Sequence, residues 1–380
     1  MTTYRFDKKS GRLTRRDFMG AGIGAAAAIA AGPVYLRHAR AQDGPIKIGF
    51  PAPLSGPYSS EAQDQVRCAQ IAVDLFNEAG GLDGRMAELL VRDSKLDPGE
   101  AATRTLELIE SDGVHFLCGG LSASVQLSIN QVASQRGVIY NSISQSDSIN
   151  EASDFTKYTF HEAMNPTMTA GSVGRYVFPN HGKRVAFLTA DYAYGHEMVR
   201  GFKRAGEEFD IEVVAEVSHP LGQADFSTFF PRIQAAGPDV LICSNFGRDQ
   251  LNTIKQANDF GIKQQTQIAY PVLLFTQRVA GGAQAFEGII GGTNYYWRLE
   301  EDHESAKRLN DAYRERHDGG VPSDYGAYGY AGIYGLLEGA KQAGSTDADG
   351  VIAAMETMRY DAYKGEQNFR KCDHQAVQSV

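Results

Sequence analysis

The feature that most constrains the fold is an alternation of short β-rich runs with stretches of helical periodicity, which occurs twice along the chain. The first series extends from Ile46 to about Tyr140, and the second begins after Asn165-Pro166 and continues to about Tyr295. Strands that alternate with amphipathic helices form parallel sheets with helices on both faces. The sequence therefore predicts an α/β protein with two doubly wound, open parallel-sheet lobes.

Local patterns predict the individual elements. Strands are expected at residues 46–50, 89–91, 115–118, 138–140, 185–188, 211–217, 240–242, 267–270 and 288–295. Helices are expected at residues 66–76, 125–136, 194–209, 229–235, 251–260, 305–317, 325–343 and 348–358, and a further one starts at the capping sequence Asp97-Pro98-Gly99-Glu100. Gly326, Gly329, Gly332 and Gly335 are among the glycines inside the helix at 325–343, where each costs up to about 1 kcal/mol relative to alanine. Close packing against a neighbouring helix is the expected reason.

No low-complexity linker separates the two series, so we expect strands to cross between the lobes. Open α/β sheets bind ligands beyond the carboxyl ends of their strands. The cleft that such ends would border is the predicted site.

The first 41 residues have the organisation of a signal peptide. Basic residues precede an Ala/Gly-rich run from Gly20 to Ala31, and a small-x-small triplet ends at Ala41. Thr14-Arg15-Arg16-Asp17-Phe18-Met19 resembles the twin-arginine signature of proteins that are exported after folding. The apolar run is far shorter than the roughly 20 residues that span a bilayer. Gln42 would come first after cleavage, with no cysteine to carry a lipid, so we expect a soluble periplasmic protein.

Cleavage after residue 41 of 380 would leave 339 residues, enough for two lobes. It would remove eight of the 37 Lys and Arg and two of the 46 Asp and Glu, leaving a net charge of −15. That charge argues against nucleic acid as a partner and favours solubility.

The sequence indicates no metal and no cofactor, because it contains no C-x-x-C, no H-E-x-x-H and no Walker loop. Disulfides between Cys68 and Cys118, and between Cys243 and Cys372, stay open, because sequence does not reveal whether the Cα atoms lie within about 7 Å.

Several short motifs follow one another in an informative order and spacing. They are Pro53-Leu54-Ser55-Gly56-Pro57, Asn77-Glu78-Ala79-Gly80-Gly81, Gly119-Gly120-Leu121-Ser122-Ala123-Ser124, Asp191-Tyr192-Ala193-Tyr194-Gly195, and Asp225-Phe226-Ser227 with Gly237-Pro238-Asp239. Together they resemble the type I periplasmic binding proteins of the leucine/isoleucine/valine class, over nearly all of the mature chain. The resemblance implies a flytrap whose two lobes close on a small solute and hand it to an ABC permease and its ATPase.

The same resemblance implies an N-terminal lobe at residues 45–162 plus 297–366 and a C-terminal lobe at 163–296 plus 367–380, joined by crossover strands. We expect a monomer without enzymatic activity that meets the membrane only through the permease. Relatives usually continue beyond the alternating run at 375–380, which looks like an unfinished strand, so truncation of the chain at Val380 stays an open question.

The predicted first-lobe contacts follow two strands. Ser122, Ala123 and Ser124 lie between a strand and a helix, where hydroxyls and free N–H groups suit a carboxylate. Serines that only cap the helix are the alternative. Gln145 and Ser146, after the next strand, resemble the family's second set of polar contacts.

The predicted second-lobe contacts are mostly aromatic. Tyr194 matches the residue that covers the ligand in the family, and Tyr192 shapes the same loop. Phe246 and Arg248 follow the strand at 240–242 and are expected to face the serines across the cleft. Arg248 could hold a carboxylate with two parallel hydrogen bonds.

Two departures from the family bear on the ligand. The stretch Ala269-Tyr270-Pro271-Val272-Leu273-Leu274 lacks the acidic residue that holds the ammonium group in amino-acid-binding members, and an unpaired buried ammonium is costly. Glu61 stands where those members often carry an aromatic residue. A small organic acid, aromatic or not, or an amide fits at least as well as an amino acid. An amino acid stays open, since Glu61 could supply the missing charge.

Two other functions fit parts of the sequence. Gly120-Leu121-Ser122-Ala123-Ser124 is within one residue of the hydrolase elbow G-x-S-x-G, which would make Ser122 a nucleophile, but no histidine has a recognisable setting as its base. A ligand-sensing subunit of a signalling protein would use the same fold.

Overall fold

The computed structural model describes residues 44–379. The predicted signal peptide at residues 1–41 lies outside the described part of the chain, as does Val380.

The first sheet contains five parallel strands in the order β2-β1-β3-β4-β5. These strands are β1 (Ile46–Ala52), β2 (Ala87–Asp93), β3 (Phe116–Gly119), β4 (Ile139–Ser142) and β5 (Thr159–His161). The connecting helices are α1 (Ser59–Glu78), α2 (Pro98–Glu110) and α3 (Ala123–Arg136). The strand order reverses between β1 and β3, so the loops after these two strands diverge and leave a crevice at their carboxyl ends. This sheet and its helices form the first lobe.

The second sheet repeats this arrangement in the order β10-β9-β8-β6-β7. Its strands are β6 (Arg184–Ala190), β7 (Glu212–His219), β8 (Val240–Ser244), β9 (Gln267–Tyr270) and β10 (Ile290–Gly291). Its helices are α4 (Pro166–His181), α5 (Ala193–Gly206), α6 (Phe230–Ala236), α7 (Arg248–Asp259), α8 (Phe275–Gly281) and α9 (Ala283–Phe286). This sheet and its helices form the second lobe, and the predicted fold of two open parallel sheets is confirmed.

The rest of the chain is mostly helical, as expected, with α10 (Glu304–Arg316), α11 (Asp324–Ala343) and α12 (Ala348–Met355). A small antiparallel sheet follows, formed by β11 (Tyr360–Asp361), β12 (Glu366–Phe369) and β13 (Ala376–Val377). Gln375 forms a parallel bridge to His161 at the end of β5. The residue boundaries of the two lobes stay a prediction.

Helix α11 packs along α1, and its glycines make this approach possible. A Cβ atom on Gly329 would lie 2.9 Å from the Cα and carbonyl carbon of Gln65 and closer still to its carbonyl oxygen. Carbon atoms do not approach a backbone so closely, so any larger residue would force the two helices apart. The prediction of close helix packing is confirmed.

Three further findings concern the described residues. None of their helices is both long and apolar enough to cross a bilayer. All four cysteines are free, so neither of the disulfides left open by the sequence is formed; Cys372 is exposed and the other three are buried. No cluster of three or more metal-ligating side chains occurs among residues 44–379.

Candidate ligand-binding site

A small pocket, with about 200 Å³ of space that is partly open to solvent, lies where the carboxyl ends of the two sheets face each other. The first lobe contributes the loops after β1, β3 and β4 and the start of α11, and the second lobe contributes the segments after β6 and β8. The lining residues are Tyr58, Leu121, Ser122, Ala123, Ser144, Gln145, Tyr192, Tyr194, Phe246 and Tyr325. The pocket therefore lies in the predicted cleft.

Most of the predicted contacts come together here. Those that line the pocket are Ser122, Ala123, Gln145, Tyr192, Tyr194 and Phe246. Ser124, Ser146, Arg248 and Glu61 are not among its lining residues. Arg248 is exposed at the start of α7, and its backbone N–H donates to Pro57 O at 3.0 Å. Ser146 and Glu61 are buried but contact the opposite lobe instead.

Four residues that line the pocket were not predicted from the sequence, and they are Tyr58, Leu121, Ser144 and Tyr325. Two of these had a local signal, because Tyr58 directly follows the Pro53–Pro57 motif and Leu121 lies inside the glycine-serine motif. Ser144 is one of several polar residues in its loop and does not stand out. Tyr325 had no local signal at all, since only the packing of α11 against α1 brings it to the pocket.

The turn between β3 and α3, which carries the buried Ser122, has a strained backbone. Gly119 and Gly120 have φ values of 114° and 81°, and a Cβ atom on them would meet Pro51 O at 2.6 Å and the Tyr140 hydroxyl at 2.5 Å. Ser122 has a φ of 122°, a conformation that costs a non-glycine residue on the order of 1–3 kcal/mol. Strain of this kind is retained where the backbone serves a site.

Ser122 is at the N-cap position of α3, but its side chain makes no capping hydrogen bond. Its own N–H donates to Ser144 Oγ at 2.9 Å. The first intrahelical bond runs from Gln126 N to Ser122 O, so the N–H groups of Ala123 and Ser124 precede the helical ladder. A helix N-terminus with free N–H groups attracts an anion. The serine hydroxyl therefore stays available, which speaks against capping as its role.

Two polar atoms of the pocket residues are buried and have no hydrogen-bond partner within the described chain. They are Gln145 Nε2 and the hydroxyl of Tyr194. Leaving a buried polar group unpaired costs about 1–3 kcal/mol. Both atoms can donate a hydrogen bond, so a solute with acceptor oxygens would satisfy them.

The walls of the pocket are aromatic and span both lobes. Phe246 of the second lobe meets Tyr58 and Tyr325 of the first edge-on, with ring centroids 4.8 and 4.7 Å apart. The Tyr58 hydroxyl also donates to the Tyr192 hydroxyl at 3.0 Å. Burial raises the pKa of the Tyr58 and Tyr194 phenols, so both are neutral hydrogen-bonding groups. Such walls offer apolar area with a few polar atoms, as solute pockets do.

The pocket lining carries no charged side chain. None of its ten residues, within the described part of the chain, is a histidine, aspartate, glutamate, lysine or arginine. Ser122 thus has no base beside it, and the geometry does not support a hydrolase nucleophile. The lining also lacks a carboxylate that could pair with an ammonium group. The groups that could attract a negatively charged solute are N–H and hydroxyl donors.

Comparisons with known proteins agree on one family. The profile of the periplasmic binding protein family matches residues 45–380. The Leu/Ile/Val-binding protein homolog 1 of Brucella abortus is 24% identical over 320 residues, 82% of each chain. Among solved structures, a periplasmic binding protein from Burkholderia mallei superposes with a TM-score of 0.82 at 28% identity, covering 88% of this chain and 87% of the other. A solute-binding protein of an ABC transporter from R. palustris, in complex with benzoate, has a TM-score of 0.80 at 22% identity and covers 88% and 91%.

Proposed function

Because the chain belongs to the periplasmic binding protein family and is a solute-binding protein of ABC transport, we propose that its cleft takes a small carboxylate-bearing solute. An aromatic or other organic acid without an ammonium group is the preferred class. In this proposal the protein is exported by the twin-arginine pathway, acts as a monomer in the periplasm and delivers the solute to a permease and its ATPase.

The observation that carries the proposal is the concentration of hydrogen-bond donors in an uncharged pocket. Gln145 Nε2 and the Tyr194 hydroxyl are buried without partners, and the uncapped N-terminus of α3 adds the Ser122 hydroxyl and free N–H groups. Donors without matching acceptors favour a solute that brings acceptor oxygens and negative charge. A carboxylate has both.

The absence of an ammonium partner supports an acid over an amino acid. Glu61 is the residue that could have supplied this partner, but it accepts hydrogen bonds from Thr276 and Gln277 and does not line the pocket. A buried ammonium without a carboxylate would be strongly destabilised. The tyrosine-lined wall and the small volume favour a compact, planar solute, and benzoate in the R. palustris protein is an example of this class.

A thermal-shift screen of the ligand-stripped mature protein tests the proposal. The panel contains benzoate, hydroxylated benzoates, aliphatic carboxylates, amides, and leucine, isoleucine and valine. A solute at 100 times its Kd should stabilise the protein by roughly 2.7 kcal/mol. The solute class would be wrong if the branched-chain amino acids stabilised the protein and no acid lacking an amine did.

Two variants then test the site itself. Ser122→Ala and Tyr194→Phe each remove one hydroxyl from the pocket and should weaken binding of the stabilising acid about tenfold, the effect of one hydrogen bond to a charged group. Tyr296→Phe is the matched control, because this tyrosine is 39% exposed and lies outside the pocket. Unchanged affinity in both pocket variants would remove the support for this site.

A further inference from the structure

Beside the pocket, one carboxylate of the second lobe is buried in the first lobe. Glu197 of α5 is 2% exposed. Its oxygens accept hydrogen bonds from the segment after β4, donated by Ser146 Oγ (3.1 Å), Asp147 N (2.9 Å), Ser148 N (3.4 Å) and Ser148 Oγ (2.6 Å). Every one of these donors belongs to the first lobe. The contact therefore joins the two lobes, and the same segment is also held to α4, because Asp147 accepts hydrogen bonds from Thr167 N and Oγ1 at 3.0 Å.

On another part of the interface the roles of the lobes are reversed. Glu61 of α1, in the first lobe, is fully buried and accepts hydrogen bonds from Thr276 Oγ1 and, at 2.6 Å, from Gln277 Nε2, both on α8 of the second lobe. Nearby, Phe275 N donates across the same interface to Asp324 Oδ1 at 3.3 Å. Each lobe thus presents a buried glutamate to donors of the other.

Both carboxylates are tied to the pocket through their own helices. Glu197 follows the pocket residue Tyr194 by three positions on α5, and Glu61 follows Tyr58 by three positions at the start of α1. Residues three apart lie on the same side of a helix. A motion that withdraws either tyrosine from the pocket therefore also withdraws the adjacent carboxylate from its donors.

A buried carboxylate makes lobe closure close to all-or-none. When the lobes are apart, water solvates each carboxylate and its donors. When they meet, the carboxylate loses this water and must find every donor in place, because a buried charge without partners is costly. A partly closed arrangement would meet the desolvation cost without the hydrogen bonds.

We propose that Glu61 and Glu197 are reciprocal latches that hold the two lobes closed over the pocket. This role rests on the proposed function, since a solute receptor must open and close. Neither residue contacts the solute in this scheme, so both act by positioning the lobes.

The test is hydrogen–deuterium exchange, resolved by residue, on the mature protein without any solute. The amides of Asp147 and Ser148 report on the Glu197 latch, and the amide of Phe275 reports on the interface beside Glu61. In Glu197→Gln, exchange of the Phe275 amide should accelerate about tenfold, as loss of a hydrogen bond to a charged group predicts. In Glu61→Gln, exchange of the Asp147 and Ser148 amides should accelerate by a similar factor.

The controls separate a latch from a local contact. Glu88→Gln, an exposed carboxylate on β2, should leave all three amides unchanged. Ser148→Ala removes one donor to Glu197 and keeps the charge of the carboxylate. It therefore covers the case in which Glu197→Gln does not fold. Exchange of the Phe275 amide should also accelerate in this variant.

Two results would overturn the proposal. In the first, each variant affects only the amides on its own side, which is the behaviour of independent structural contacts. In the second, the three amides of the wild type already exchange at unprotected rates, which means that the latches do not form without solute. Both readouts are independent of the thermal-shift screen, so failure of the solute assignment would be recognised separately.

Discussion

The substitution Gly329→Ala tests the helix contact that places the first-lobe side of the pocket. The added Cβ would lie 2.9 Å from the Cα and carbonyl carbon of Gln65 and nearer to its carbonyl oxygen. These are backbone atoms of α1, so no side-chain rotation can relieve the overlap. The two helices must separate by a substantial fraction of an ångström.

The expected cost follows from two opposing terms. Overpacking a close contact costs typically 1–3 kcal/mol, and a clash with backbone belongs at the upper end. Alanine regains about 1 kcal/mol of helix propensity relative to glycine. We therefore expect Gly329→Ala to lower the free energy of unfolding by about 2 kcal/mol.

Gly335→Ala is the matched control on the same helix. Its Cβ would find the Tyr360 hydroxyl at 3.3 Å as its nearest neighbour, an overlap that a small shift of one side chain relieves. The propensity gain of up to about 1 kcal/mol should then offset the packing cost, so this variant should be neutral or slightly stabilised. The contrast between the two variants removes the general effect of adding a methyl group to α11.

Urea unfolding of the solute-free mature protein measures the free energy of unfolding of both variants, which are compared at equal m values. Because α11 begins next to the pocket residue Tyr325, Gly329→Ala should also weaken the stabilisation by a bound acid. If Gly329→Ala were as stable as Gly335→Ala, α11 and α1 would not be packed as described, and the placement of Tyr325 would be wrong with it.

Three further outcomes are expected. Arg248→Ala should leave solute-dependent stabilisation unchanged in the thermal-shift assay, because this side chain is exposed and outside the pocket; a tenfold loss of affinity would contradict that placement. Gly195→Ala should lower the Tm and weaken solute binding together, because its Cβ would overlap Ala190 O and displace the start of α5; an unchanged Tm would refute the close approach. Burial raises the pKa of Glu162 to about 7, so the folded protein holds a proton between pH 4.5 and 7 that the unfolded chain releases. The wild type should therefore lose more stability than Glu162→Gln from pH 5 to 7 in urea titrations, and equal slopes would show that the carboxyl is not perturbed.

The sequence by itself determined the two βα series, and with them the fold class. Helical and strand periodicities are local patterns of apolar residues, so they can be recognised without knowledge of distant contacts. The glycines of α11 belong to the same category, because their cost in a helix interior requires a packing reason. The serine turn after β3 was also visible, since a strand followed by small residues and a helix defines a binding loop locally.

Only the tertiary structure decided which polar groups remain free for a solute. Glu61 was a candidate partner for an ammonium group in the sequence, but α8 of the other lobe occupies its oxygens. Ser146 was a candidate contact, and its hydroxyl donates to Glu197 instead. Tyr325 enters the pocket from a helix more than 200 residues after the serine turn. Hydrogen-bond satisfaction depends on neighbours that are distant in the chain, whereas periodicity depends on adjacent residues, and this difference separates what the sequence predicts from what folding decides.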